Sequence, residues 1–162
     1  MIILSIDSGL EKTGFAFFDK DTKYEIGYKF ISSGLIKTSK THKTEFRLLQ
    51  LFNSLKSLIT KLKPETLIIE QLFFSKNIKT AIVVAQTQGV LLVLAAQLKM
   101  TVKFLAPLQI KQIITGYGKA DKKAIQKMLC LLLKLDKPIT QDDEADAVAV
   151  GLAYCSLNEK LT

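Results

Sequence analysis

Two carboxylates stand directly after short runs of apolar, strand-forming residues. Asp7 closes the run MIILSID, and Glu70 follows the run TLII at 66–69. Ligands of open α/β sheets bind at the carboxyl ends of the strands, so we expect both acids at that edge, side by side if their strands are neighbours. Two buried like charges repel each other and take up protons unless a cation is shared between them. Hard oxygen ligands favour Mg²⁺ or Mn²⁺ as that cation.

A second pair of acids begins the last predicted helix. Asp143 and Asp146 are three residues apart, which places both side chains on one face of its opening turn, and the alanines that follow keep the helix slim enough to pack near the sheet. Asp142 precedes the pair, but only Asp143 has this spacing to Asp146. Four carboxylates at one sheet edge would hold two ions for in-line attack of water on a phosphodiester. The predicted catalytic metal ligands are Asp7, Glu70, Asp143 and Asp146.

Some of these acids also have a simpler interpretation. Asp7 could cap the turn at Ser8-Gly9, because Asp often hydrogen-bonds the backbone of a turn. The acids at 142–144 could serve only the positive end of a helix dipole. Glu70 has no evident capping role after an apolar strand, so the four acids together indicate the metal site better than any one of them does.

The order of elements predicts an α/β fold with a mixed five-stranded sheet flanked by helices. Three antiparallel strands open the chain, and parallel strands then follow through helical crossovers. Asp19–Lys23 is expected to form the turn between the second and third strands. The predicted strands are 1–7, 14–18, 24–36, 66–69 and 102–105. The predicted helices are 45–62, 78–98, 120–135 and 143–157, with a further helix able to begin at Pro107.

Composition sets the outer limits of the interpretation. A chain of 162 residues that is 48% hydrophobic is most simply one folded domain, residues 1–162. Its formal net charge of +8 favours a polyanionic partner, either nucleic acid or acidic lipid. No apolar run approaches the roughly 20 residues of a membrane span, and we expect a soluble, cytoplasmic protein. Cys130 and Cys155 lack the paired spacing of a zinc site and are expected to be buried free thiols.

Two groups of lysines could contact phosphates. The first surrounds the glycine-containing loop at 116–118, where the backbone can approach a phosphate closely, although a solvated helix face is the alternative. This group comprises Lys111, Lys119, Lys122, Lys123 and Lys127. The second comprises Lys37, Lys40 and Lys43, near His42, for which we expect no catalytic role.

Phe73 and Phe74 follow the acid at position 70. Both cannot face the interior of a strand, because strand side chains alternate between its two faces. One ring is therefore expected to be exposed, and it would be well placed to stack on unpaired bases.

Several ordered blocks resemble one family. They are Ile6-Asp7-Ser8-Gly9 with Thr13-Gly14, Ile69-Glu70-Gln71-Leu72-Phe73 with Asn77, Gln86 with Gly89, Lys111-Gln112 with 116–122, and Asp143-Glu144-Ala145-Asp146-Ala147. From Ile3 to about Ala153, this pattern resembles the RuvC Holliday-junction resolvases of the ribonuclease-H-like superfamily.

The resemblance implies specific roles. The four acids match catalytic ligands of two Mg²⁺ ions per site, with Mn²⁺ as a plausible substitute. Phe73 matches an aromatic that stacks on bases near the cut, and Lys111 and Lys122 match residues that contact the DNA backbone. The helix at 78–98 resembles the family's dimer-forming helix. The implied activity is that of a homodimer that nicks opposing strands of four-way junction DNA, with branch-migration proteins of the RuvA/RuvB type as partners.

The chain departs from the family's pattern at two positions. Ser8 replaces the usual proline, and Glu144 stands where the family often has a small residue. The four ligands are intact, which predicts an active enzyme and argues against a catalytically idle junction-binding module. The alternative activity is that of a ribonuclease-H-like nuclease acting on RNA/DNA hybrid or structured RNA.

Overall fold

The computed structural model describes residues 1–72 and 78–157. Within these ranges the chain forms five strands and five helices. The strands are β1 (Ile2–Asp7), β2 (Lys12–Lys20), β3 (Tyr28–Lys37), β4 (Thr66–Glu70) and β5 (Thr101–Leu105). The helices are α1 (Thr44–Leu62), α2 (Ile78–Gln97), α3 (Pro107–Thr115), α4 (Lys122–Leu133) and α5 (Asp142–Ser156).

The five strands form one mixed sheet in the order β3-β2-β1-β4-β5. The pairs β1–β2 and β2–β3 are antiparallel, whereas β1–β4 and β4–β5 are parallel. The predicted α/β class and sheet composition are therefore confirmed. In the central parallel pair, Ile6 lies opposite Ile69, so β1 and β4 end side by side.

The central strands are buried on both faces, as their continuous apolar sequences require. Ile3 and Ile68 face a core that also contains most of α5. Leu4, Ile6 and Ile69 face the opposite core, which is covered by α1 and α2. This alternation fixes the register of each strand, because a shift of one residue would turn every side chain to the wrong face.

Helix α5 packs directly on the antiparallel half of the sheet. The Ser5 hydroxyl donates a hydrogen bond of 2.8 Å to the Ala147 carbonyl oxygen, which ties the helix to β1. Gly151 permits this approach, since a Cβ there would lie 2.4 Å from Cε2 of Phe18 and 2.5 Å from the Ser5 hydroxyl. The small residue at 151 and the Ser5–Ala147 hydrogen bond therefore allow α5 to lie directly against β1 and β2.

The turn between β2 and β3 lies later in the chain than predicted, at 21–27 instead of at 19–23. Strand β2 continues to Lys20, and β3 begins at Tyr28 instead of at residue 24. The backbone N–H of Asp21 donates to Gly27, and Gly27 donates to Tyr24, so these residues form a hydrogen-bonded turn. Gly27 has a positive φ of 78°, which ends the extended conformation before β3.

The buried face of α1 is formed by Leu51, Leu55 and Ile59. Leu48 and Phe52, on the neighbouring part of the helix surface, are half-buried. In the described part of the chain, no helix has the combined length and apolar character needed to cross a bilayer.

Candidate active site at the acidic sheet edge

Two strand ends place the first two acids. Asp7 is the last residue of β1 and Glu70 the last residue of β4. Because the two strands are parallel neighbours in register, both carboxylates lie at the same edge of the sheet. Each residue is only half-buried, in contrast to the fully buried isoleucine that precedes it.

The first turn of α5 brings the other two acids to this edge. Asp143 lies against Gly14 of β2, the residue opposite Asp7 in the β1–β2 register. The Ser33 hydroxyl of β3 donates a 2.6 Å hydrogen bond to Oε1 of Glu144, which holds the same turn from the next strand. Asp146, one turn further along, is half-buried, and its charge acts on both Asp7 and Glu70.

The pKa of Asp7 shows that the four acids share one electrostatic environment. Burial raises this pKa to about 7, and the charges of Asp146, Glu70 and Asp143 contribute to the rise. The charge of Lys122 acts in the opposite direction. A proton or a cation therefore stabilises the folded site at neutral pH.

The pKa values of Glu70 and Asp146 are raised for the same reasons. Burial is the main cause that raises the pKa of each carboxyl group, and the charge of Asp146 raises that of Glu70 as well. Lys111 and Lys122 oppose the shift at Glu70, and Lys122 opposes it at Asp146. The predicted acids and the two predicted basic residues thus act on one another.

A small cavity holds these opposite charges. Its volume is about 220 Å³, and its polar lining consists of Glu70, Asp146, Lys111 and Lys122. The Lys122 ammonium lies 3.3 Å from Oδ2 of Asp142 and 3.5 Å from Oδ2 of Asp146. A group that binds in this cavity would therefore meet carboxylates and ammonium groups together.

Helix α4 fixes the position of Lys122. Asp121 precedes the helix, and its carboxylate accepts a 2.8 Å hydrogen bond from the Ala124 backbone N–H. This is an ordinary N-cap, which stabilises a helix by about 1 kcal/mol. Lys122 is then the first helical residue, and it extends across to the acids of α5.

The structure distinguishes the adjacent acids Asp142 and Asp143. The side chain of Asp142 is 60% exposed and pairs with Lys122. Asp143 is half-buried, and its charge acts on Asp7. Asp143 therefore acts on Asp7 from within the site, and its assignment as the third metal ligand, made on its spacing to Asp146, stays a prediction.

The chemistry of the donor set fits divalent ions. Burial raises the pKa of three of the acids, so their charged forms are costly without a positive partner. Carboxylate oxygens are the ligands that Mg²⁺ and Mn²⁺ prefer. Among the described residues, no three His, Cys, Asp or Glu side chains are already close enough together to coordinate one ion.

Sequence reasoning missed one buried polar residue beside the site. Gln88 of α2 donates hydrogen bonds of 3.1 Å to the Ser8 hydroxyl and 3.0 Å to the Glu70 carbonyl oxygen. It therefore joins the ends of β1 and β4 directly behind the two acids. The available signal was a glutamine in a largely apolar helix, but the resemblance pointed instead to Gln86 and Gly89, both of which are exposed.

The sequence also led to predictions for residues other than the acids and lysines. Phe73, with the predicted stacking role, and Asn77 fall outside the described residues. His42 is exposed in the segment before α1. Cys155 is a buried free thiol, as predicted, whose pKa is raised by burial to about 12, whereas Cys130 is only half-buried.

Comparison with known proteins identifies the family. The family model described as crossover junction endodeoxyribonuclease RuvC matches residues 3–154. The RuvC of Caldicellulosiruptor saccharolyticus is 42% identical over 95% of this chain and 92% of its own length. The RuvC of Petrotoga mobilis is 40% identical over 98% of this chain and 94% of its own length.

A solved structure supports the fold assignment. Thermus thermophilus RuvC in complex with a Holliday junction substrate aligns with a TM-score of 0.87 at 24% identity, covering 96% of this chain and 95% of that one. The sheet order and the flanking helices are thus those of the ribonuclease-H-like fold. The family model and the two curated relatives together show that the chain belongs to the RuvC family of crossover junction endodeoxyribonucleases.

Proposed function

We propose that this chain is a structure-selective DNA endonuclease that resolves four-way (Holliday) junctions by paired symmetric nicks, through two-metal-ion hydrolysis of phosphodiester bonds. The observation that carries the proposal is the edge where Asp7, Glu70, Asp143 and Asp146 interact beside two lysines. Membership of the RuvC family supports the choice of DNA junctions over other phosphodiesters. We take residues 1–162 as one nuclease domain.

The four acids would hold two Mg²⁺ ions, for which Mn²⁺ is a plausible substitute. Bound divalent ions supply activation of the attacking water and charge stabilisation of the leaving oxygen. The half-buried carboxylates Asp7, Glu70 and Asp146 are suited to this task, because their raised pKa values show that a nearby positive charge would stabilise their ionised forms. Asp143, in the first turn of α5, would supply the fourth carboxylate.

Lys111 and Lys122 would bind the DNA backbone at the cut. Both line the cavity that contains Glu70 and Asp146, so a phosphate held by them lies beside the acids. Lys122 pairs with Asp142 and Asp146 at 3.3 and 3.5 Å, and these pairs can exchange for a phosphate because the ammonium is largely exposed. By family resemblance, we assign Phe73 the stacking contact with bases near the cut.

A homodimer is part of this proposal, because two symmetric cuts need two copies of the acidic edge. Helix α2 supports it with one continuous exposed stripe, opposite the face formed by Leu91 and Leu94 that covers the sheet. Ile82 and Val93 on the stripe are 54% and 63% exposed. The stripe comprises Ile82, Ala85, Gln86, Gly89, Leu92, Val93 and Ala96. This spacing is that of one helix face, so a second copy of α2 could cover it.

Sedimentation of the wild-type protein and of Val93→Glu tests the dimer. A charge in the centre of a buried helix pair would be left unpaired, so we expect a dimeric wild type and a monomeric variant. Leu131→Glu is the matched control, because Leu131 is equally exposed, at 61%, but lies on α4. A monomeric wild type on junction DNA, or a dimeric Val93→Glu protein, would reject this interface.

We place the protein in the cytoplasm, with branch-migration proteins of the RuvA/RuvB type as partners, on family membership alone.

Substrate selectivity tests the proposed activity directly. The protein is offered a synthetic four-way junction beside linear duplex, single-stranded DNA and an RNA/DNA hybrid, with Mg²⁺ or Mn²⁺. We expect cleavage of the junction at a rate well above that of every other substrate. Faster cleavage of the RNA/DNA hybrid would favour the alternative ribonuclease-H-like activity and leave only the fold and the metal site.

A further inference from the structure

A second cleft opens onto the acidic edge from the side of α1 and α2. Its volume is about 770 Å³, compared with about 220 Å³ for the cavity that contains Lys122. Asp143 lines the larger cleft, whereas Asp146 lines the smaller cavity. The two spaces therefore reach the edge at different acids, and the proposed function uses only the smaller one.

Three cations from separate parts of the chain meet in this larger cleft. Lys12 begins β2, Lys40 follows β3, and Arg47 lies in the first turn of α1. The Lys40 ammonium lies 2.8 Å from Oε2 of Glu11. A side-chain hydrogen bond from Lys40 and the charges of Lys40, Lys12 and Arg47 lower the pKa of the Glu11 carboxyl group. The cations therefore already surround one anionic group.

Charge and exposure make this cluster available to a stronger anion. The three cations face two acids, Glu11 and Asp143, which leaves an excess of one positive charge in the lining. The pair of Lys40 and Glu11 is open to solvent, with side chains 71% and 50% exposed. Such surface pairs contribute little free energy, so the Glu11 carboxylate can be displaced.

Arg47 is set apart from the other basic residues. It is the one arginine among 23 basic residues in the chain. Its Nε donates a 3.0 Å hydrogen bond to the Thr38 hydroxyl, and that hydroxyl donates a 2.5 Å bond to the Leu10 carbonyl oxygen. The planar guanidinium is thus oriented by its Nε, which leaves its terminal N–H groups for a ligand. The planar guanidinium group can donate two parallel hydrogen bonds to a phosphate, whereas the lysine ammonium group acts as a point charge.

We propose that this cleft is a second DNA-binding subsite, in which Arg47, Lys12 and Lys40 bind a backbone phosphate of the strand being cut, a few nucleotides from the scissile phosphate. The inference rests on the proposed function. Asp143 lies in the cleft and acts electrostatically on Asp7, so a strand in the cleft leads to the acids. Val83 and Val84 of α2 form an apolar wall beside the cations, suited to contact with deoxyribose.

The test is a scan of single neutral methylphosphonates along the strand of the four-way junction that is cut. Binding is measured by fluorescence anisotropy without divalent ions, so that the junction stays intact. We expect one position or two adjacent positions, away from the cut, at which the neutral linkage weakens binding by the wild type but not by Arg47→Gln. The salt slope of Arg47→Gln should be flatter by about 0.9 for each phosphate that the variant no longer neutralises. Arg47→Lys should keep the wild-type slope but bind more weakly, because the charge remains while the planar fork is absent.

Further variants separate binding from folding. Lys61→Gln is the matched control, because it removes an exposed cation from the last turn of the same helix, about 21 Å along its axis. Lys12→Gln and Lys40→Gln should each flatten the salt slope, and Glu11→Gln should tighten binding because it removes the competing carboxylate. Thermal unfolding of each variant checks that weaker binding does not result from a less stable fold, which loss of the Arg47–Thr38 hydrogen bond could cause.

The outcomes distinguish this subsite from the proposed function. If the wild type cuts junctions and Arg47→Gln shows the same methylphosphonate profile and salt slope as the wild type, the subsite is rejected and the function stands. A wild type that neither binds nor cuts junctions rejects the proposed function itself.

Discussion

Gly14 and Asp143 are in direct backbone contact across the candidate active site. A Cβ placed on Gly14 would lie 1.8 Å from the Asp143 carbonyl oxygen and 3.0 Å from the Glu144 amide nitrogen. Gly14 is also the residue opposite Asp7 in the antiparallel β1–β2 pair. The position of the α5 acids relative to Asp7 thus depends on the absence of a side chain at one residue of β2.

Gly14→Ala should therefore damage both stability and cleavage. The added methyl group cannot occupy its position unless the first turn of α5 moves away from β2, which displaces Asp143 and Asp146 from the other two acids. We expect a loss of about 1–3 kcal/mol in the free energy of unfolding, as for other overpacked sites. Cleavage of four-way junctions should fall much further than junction binding. Wild-type melting temperature and wild-type cleavage rate would show that the close approach is dispensable.

Asp7→Asn should stabilise the metal-free protein at alkaline pH while abolishing cleavage. The pKa of Asp7 is raised from 3.8 to about 7 in the folded protein. Between these values the folded state binds more protons than the unfolded state, so the free energy of unfolding falls as pH rises from about 4 to about 7. The asparagine lacks this titration, so its advantage over the wild type should be absent near pH 4, grow as pH rises to about 7, and be complete above pH 7.

Denaturant unfolding in chelator, from pH 4 to pH 8, measures this difference. The pKa values of Glu70 and Asp146 are raised as well, so both also contribute to the pH dependence of stability. The difference between variant and wild type gives the contribution of Asp7. Addition of Mg²⁺ at pH 8 should stabilise the wild type and have little effect on Asp7→Asn. A variant that is less stable than the wild type at pH 8 without ions would contradict the electrostatic account of the site.

Asp143→Asn and Asp142→Asn should differ sharply in activity. Asp143 is half-buried and acts on Asp7, whereas Asp142 is exposed and forms an ion pair with Lys122. Asp143→Asn removes a proposed metal ligand and should abolish cleavage, while junction binding by the lysines is retained. Asp142→Asn should change the rate by no more than a few-fold. Equal losses in the two variants would show that the assigned register of the third ligand is wrong.

Lys111→Ala and Lys122→Ala should slow cleavage and flatten the salt dependence of junction binding. Each lysine that contacts a phosphate contributes about 0.9 to the slope of log affinity against log salt. Lys61→Ala, which removes an exposed charge at the far end of α1, should leave rate and slope unchanged. If both variants keep the wild-type slope and rate, these lysines are ordinary solvated side chains despite their place in the cavity.

Local sequence patterns were sufficient to predict most of the architecture. Apolar runs that end in an acid predicted β1 and β4, and the structure shows that these two strands are parallel neighbours. Asp143 and Asp146 were predicted from spacing alone, because three residues make about one helical turn. The turn at 21–27 was misplaced, since the residues from Tyr24 onward resemble strand formers until the Gly27 conformation is known.

Contacts between distant segments could not be predicted from these patterns. The hydrogen bond from Gln88 to Ser8 joins residues 80 positions apart, and no local periodicity encodes it. The contact of Gly14 with Asp143 and the pairing of Lys122 with Asp146 likewise depend on how α4 and α5 pack on the sheet. The cleft around Arg47 was missed for the same reason, because its three cations come from separate elements.

The measurement that tests the central claim most directly is the mapping of cuts on a four-way junction labelled at the end of each strand in turn. With Mg²⁺ or Mn²⁺, the wild type should produce nicks at symmetry-related positions on two opposing strands, and Asp146→Asn should produce none while still binding the junction. Cuts on one strand only, cuts at unrelated positions, or near-normal turnover by Asp146→Asn would contradict the account of a two-copy nuclease built on four carboxylates.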